Sequence, residues 1–135
     1  MSVMSSYLAN ALVLHALGKT TFTMPASVDI ALTTVTPVFA DTGSTITEAT
    51  YTGYARANIP ASSLNAASGG VSTNSVAITF AACTAGSSTV QSWAICDSVT
   101  TAAGNMLLYG TTSSQVIASG NTPNVPIGSL SITFS

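Results

Sequence analysis

The sequence predicts a mainly β protein, an antiparallel β-sandwich carrying one N-terminal amphipathic α-helix. Three observations lead there. Apolar residues alternate with polar or small ones in Ser27 to Thr34, in Ser75 to Ala82 and in the closing SLSITFS, the period of two that a strand with one buried face requires. Clusters of Gly, Pro, Asn and Ser separate these runs and supply turns. Helical spacing occurs only near the start, where Met4, Tyr7, Leu8, Ala11, Leu12 and His15 recur every three to four residues.

Taken in order, residues 1–18 form the helix, with Gly18 as its C-terminal stop. The run does not read as an export signal, because no Lys or Arg precedes it and Lys19 follows it. It is also too short to span a bilayer. Ser27 to Thr34 then reads as a half-buried strand, Val28, Ile30 and Leu32 facing one way and Asp29, Ala31 and Thr33 the other. Val35 to Tyr51, with Pro37, Asp41, Gly43, Thr45 and Glu48, suits a long surface loop, which serves binding or merely connects. YTGYARANIP (51–60) returns to extended backbone, and Gly53 beside Tyr54 marks a bulge or a close backbone approach. Ala61 to Asn74 reads as a small-residue linker.

The second half centres on QSWAICDSVTTAAGNMLLYG (91–110), which holds the only Trp. Val90 to Cys96 and Met106 to Tyr109 read as the arms of a hairpin joined by a polar, flexible turn. Trp93 and Ile95 fall on one side, and Val90, Ala94 and Cys96 on the other. Both faces should therefore be covered, one by a core and the other by a partner. Ser113 to Ala118 reads as a further short strand, SGNTPNVPIG as turns, and the final SLSITFS as a strand tying the C-terminus into a sheet.

The 135 residues fit one domain, 1–135, with 1–18 as helix or arm and 19–135 as sandwich. Charge is scarce: Lys and Arg number two, Asp and Glu four, together 4% of the chain, against roughly a quarter in an ordinary globular domain. Two basic residues cannot neutralise enough phosphates to hold nucleic acid. A surface built from Ser, Thr and Asn with so little repulsion favours association, so an assembly component is expected. If Ala77 to Cys96 forms one hairpin around Gly86, Cys83 lies opposite Val90 and Cys96 opposite Ala77. A disulfide needs Cα atoms within about 7 Å, so both cysteines are expected as buried, reduced thiols.

Signs of catalysis are few. His15 is the only histidine, placed on the helix beside Leu12, and neither cysteine has a local partner that would activate it. One His, two separated Cys and scattered carboxylates form no metal set. GNMLLYG and SGGVS lack the lysine or the following helix of a phosphate loop. The expectation is no enzyme, no metal and no cofactor. Trp93, Tyr54, Phe22 and Tyr109, with Arg56 as polar clamp, are the candidate interface residues, since aromatics and Arg carry most contact energy. Each ring reads equally well as core.

The ordered set YLANALVLHALGKTTFT, PASVDIALTT, GYAR (53–56), AITFAACTA (77–85), VQSWAICDSVTTAAGNMLLYG and GNTPNVPIGSLSITFS resembles a family of small tailed-bacteriophage virion proteins. Members look like capsid decoration, or cement, proteins, and relatives are often labelled tail-fibre proteins. Ala82 and Cys83 stand where relatives favour a proline-containing ITFP run, and Val35 to Tyr51 is longer and richer in Thr. The resemblance implies a protein assembled in the host cytoplasm and bound to the virion's capsid surface. It would act as a homotrimer cementing neighbouring major capsid subunits. The alternative is a tail-fibre or adhesin module contributing to host attachment.

Overall fold

A computed structural model describes residues 2–134; Met1 and Ser135, at the ends of the expected helix and closing strand, lie outside the described residues. The elements are β1 (Ser2–Met4), α1 (Ser6–Ala16), β2 (Asp29–Thr33), β3 (Ala57–Asn58), β4 (Val71–Thr73), β5 (Ile78–Thr79), β6 (Ser87–Cys96), β7 (Met106–Ala118), β8 (Asn124–Val125) and β9 (Ser131–Thr133). The protein is mainly β, antiparallel throughout, with one helix near its N-terminus. Five strands form one sheet in the order β1-β7-β6-β2-β3, and β4-β9 and β5-β8 are separate two-stranded ladders.

The hairpin β6–β7 is the frame. Trp93 pairs with Gly110, Ala94 with Tyr109 and Ile95 with Leu108, which sets the chain's largest side chain opposite its smallest. Both arms are longer than expected: β6 starts at Ser87, and β7 continues through Gly110, absorbing the separate strand expected over Ser113 to Ala118. Irregular pairing between Val90 and Ser92 shifts the alternation by one. Val90 therefore joins Trp93 and Ile95 on the main core instead of Ala94 and Cys96 on the opposite face.

Ile30, Leu32, Val90, Ile95 and Leu108 fill the main core, met by Tyr51, Ile59, Ile78, Phe80 and Leu130 from the segments that make up the second layer. β2 is not half-buried as its alternation suggested; all five residues are buried. Its other face packs Ala31 against Ala94, Cys96, Met106 and Ile46. Ile46 belongs to the segment expected as surface loop, so this face, expected to await a partner, is closed at its centre by the protein's own chain. Polar residues there satisfy one another: Thr33 and Ser92 hydroxyls lie 2.7 Å apart, and buried Asp29 accepts from Ser27 at 2.6 Å and Asn58 at 3.2 Å.

Helix α1 begins later than the three-to-four pattern implied, because Ser2–Met4 pair with β7 as an edge strand. Ser5 ends that strand and caps the helix. Its hydroxyl accepts from Leu8 N–H at 3.2 Å and donates to the Met106 carbonyl. At the other end, Gly18 (φ 68°) and Lys19 N–H groups bond the His15 and Leu14 carbonyls, the paired closure that a left-handed glycine permits. Only Leu8 of the helix is buried; Tyr7, Val13, Leu14 and Leu17 are exposed.

Ala61 to Asn74 is more than a linker, holding a 3-10 turn at Ala61–Ser63 and β4. The anticipated hairpin from Ala77 to Cys96 does not form, since β5 pairs with β8 while β6 pairs with β7 and β2. The thiols of Cys83 and Cys96 are nonetheless free and buried.

Candidate functional site

Two polar constellations stand out, and GYAR builds the first. Gly53 adopts φ 98°, and a Cβ there would lie 2.7 Å from the Ala82 carbonyl oxygen, so the close approach read from the sequence is real and excludes other residues. It delivers Tyr54 and Arg56 to Glu48. The Arg56 guanidinium donates from Nη2 to Glu48 Oε1 at 2.7 Å and to the Gly43 carbonyl at 2.7 Å. From Nη1 it reaches the Ser98 and Ala103 carbonyls at 2.7 and 2.9 Å, and from Nε the Glu48 carboxylate at 3.2 Å. Each N–H of the guanidinium thus has an acceptor. Tyr54 Oη donates to Glu48 Oε2 at 2.7 Å and accepts from Leu32 N–H at 3.1 Å.

Burial pushes the Glu48 carboxyl upward, but hydrogen bonds from Arg56, Ala102 N–H and Tyr54, with the Arg56 charge, outweigh it and hold the group below its ordinary value. Tyr54 moves the other way, raised by burial and then by its bond to Glu48. Burial lifts the Cys96 thiol to about 11, although nearby Arg56 opposes the rise. The ion pair also shapes the β6–β7 connection, expected as flexible: Ala102, at φ 56°, donates to Glu48 at 2.9 Å, and Asp97 accepts from Asn105 backbone and side chain at 2.6 and 2.8 Å. Arg56, expected as the polar clamp of an interface, is buried as an internal brace.

The second constellation is a partly open cleft of about 290 Å³ between the outer half of β6–β7 and the segment 123–130. Ile30, Leu32, Phe80 and Leu130 form its apolar floor, Trp93 lies in its wall, and Thr111, Thr112, Gln115, Asn124 and Ser129 supply polar groups. Fully buried Asn74 positions the far wall: its amide donates to the Val76 and Pro126 carbonyls, both at 2.9 Å, and accepts from Leu130 N–H at 3.0 Å. A more open groove sharing Gln115 and Asn124 continues from the cleft.

From residue 3 to residue 133 the chain matches the protein family described as Podophage GP4 fiber I protein gp80. It belongs to that family. No individual curated protein matches it. Membership makes it a phage structural protein of fibre type, the coarser part of the resemblance seen in the sequence.

In this member of the fibre I family, the candidate interface residues are scattered. Trp93 is half-buried in the cleft wall, and Tyr54 packs edge-on to Tyr51, ring centroids 5.5 Å apart, inside the Glu48 network. Phe22 lies beside α1, its N–H donating to His15 Nδ1 at 3.1 Å. Tyr109 rests half-buried on the second face. No single surface unites them. Sequence reading missed Glu48 as the partner of Arg56 and the polar groups of the cleft. The run TTSSQV (111–116) carried a signal for the latter, since a strand without apolar alternation has little to bury on either face.

Proposed function

We propose that this chain is a fibre component of a phage virion and contributes to host attachment. The family match across nearly the whole length carries this reading, and it favours the fibre over the capsid-cementing role. The structure is compatible with a displayed module. Its sheet is covered at the centre of both faces by its own residues, and its neutral cleft opens outward. Attachment to the rest of the virion, or assembly as a homotrimer, would cover exposed apolar residues of α1 and the following segment, chiefly Val13, Leu17 and Met24. Such joints lack ion pairs and should persist in high salt.

Copy number and position test the proposal together. Quantitative mass spectrometry of purified virions should give few copies relative to the major shell protein, and antibody labelling should mark the tail or its fibres. Soluble protein or antibody should slow adsorption to the host. Copies comparable with the shell protein, spread over the capsid, would establish the cementing role instead.

A further inference from the structure

Most Ser, Thr and Asn side chains that border the core are tied to other protein groups. Thr33 meets Ser92, Asn58 meets Asp29, Asn74 holds three backbone groups, and Ser88 accepts from Thr50 N–H. The cleft differs. Thr111, Thr112, Gln115, Asn124 and Ser129 line it, and among the described residues their side chains make no hydrogen bond within the protein. Among the described residues the Trp93 indole N–H also has no protein acceptor, yet no buried side-chain polar atom there goes unpaired, so this N–H keeps its access to solvent.

These groups define a ligand by chemistry. Hydroxyls and primary amides both donate and accept, whereas the lining contains no Asp, Glu, Lys, Arg or His. A charged ligand would lose hydration without meeting a counter-charge. A purely apolar one would strand the polar groups. Trp93 adds a π-face whose negative quadrupole attracts weakly positive C–H hydrogens. A sugar ring combines these two demands, with a C–H face for the indole and a girdle of hydroxyls for the amides and hydroxyls around it. The cleft, about 290 Å³, sits near the lower end of small-molecule sites, roughly 300–1,000 Å³, and the adjoining groove offers room for a following unit.

We propose that the cleft beside Trp93 binds a short stretch of neutral saccharide, with Gln115 and Asn124 as its principal hydrogen-bonding residues. This deepens the fibre reading and rests on it, since an attachment module needs a surface ligand. The competing occupant is a strand from a second copy. Among the described residues β1 pairs with β7 from Leu108 to Gly110, so the edge beyond could add a strand.

Trp93 is the only Trp, so intrinsic fluorescence reports on the cleft directly. The full chain would be titrated with maltotriose, chitotriose and neutral deacylated O-polysaccharides, with sialyllactose as the acidic control. At least one neutral probe should give a saturable change with a dissociation constant on the order of 1 mM or tighter, insensitive to high salt. Replacing Gln115→Ala and Asn124→Ala together should weaken it about tenfold while leaving circular dichroism and thermal midpoint unchanged. The proposal is overturned by silence across the neutral panel, by undiminished binding in the double variant, or by a response confined to sialyllactose and lost in salt. A Trp93 signal that follows protein concentration and oligomer size in sedimentation would likewise assign the cleft to a subunit joint. Location of the protein on the virion tests the fibre reading separately, so the two can fail independently.

Discussion

The Glu48–Arg56 brace and the Trp93 cleft are both polar sites bordering the same sheet, yet their polar groups stand in opposite states. Around Arg56 each donor has an acceptor, and Arg56 and Glu48 themselves are buried. Around Trp93 the amide- and hydroxyl-bearing residues line a cavity, and among the described residues their side chains make no hydrogen bond within the protein. A completed network holds loops in place and has nothing left for a ligand. An open set keeps its hydrogen-bonding capacity at the surface, where water satisfies it until something else does. Residue type alone would have ranked them the other way, because the brace contains the chain's rare charges and the cleft contains none.

The comparison breaks most readily at the brace. Arg56→Ala leaves the Glu48 carboxylate buried without its cation and the Gly43, Ser98 and Ala103 carbonyls without their donor, and should destabilise folding by about 3–5 kcal/mol, measured by urea unfolding. A smaller loss would mean that water enters and replaces the guanidinium. Gly43→Ala should act on the same contact from the other side, because a Cβ there would run into the Ala103 carbonyl.

Acid gives the next largest effect. Glu48 is held below the ordinary carboxyl value of 4.5, so the unfolded chain takes up its proton first as pH falls. Stability from this group is complete above about 4.5 and disappears as pH drops through the lowered folded value. Glu48→Gln should flatten that acid limb. At the alkaline end the sign reverses for Cys96, lifted from 9.0 to about 11. The unfolded thiol ionises first, and stability should fall as pH rises through that window.

How far the sequence foretold these sites follows from the range of the forces involved. Alternation, the helix stop at Gly18 and the hairpin about Trp93 are local and were legible. The start of α1 was not, because β1 exists only through pairing with β7, more than a hundred positions away. Val35 to Tyr51 read as surface because its polar residues are dense, but Glu48 is buried by a partner that only the folded chain supplies. The cleft requires 123–130 to stand opposite β7, and that placement depends on Asn74, inside a stretch that looked like a linker.

Trp93→Ala sharpens the comparison at intermediate size. A fully buried Trp would cost about 3–5 kcal/mol, whereas this half-buried ring, packed against the main core and lining the cleft, should cost about 2 kcal/mol. The thermal midpoint of the variant reads that loss, and a value in the full core range would mean that the ring turns inward and the cleft closes.

Smallest of all should be the change at the cleft margin. Gln115→Ala and Asn124→Ala remove no side-chain hydrogen bond among the described residues and should each alter stability by no more than about 0.5 kcal/mol, measured in the same urea series as Arg56→Ala. That contrast is the sharpest test of the two states. If either margin residue proves as costly as the brace, its side chain is bonded inside the protein, and the cleft is part of the scaffold. If both are neutral, the sheet carries a rigid polar node on one side and an uncommitted one on the other, and the second can change its ligand without disturbing the fold.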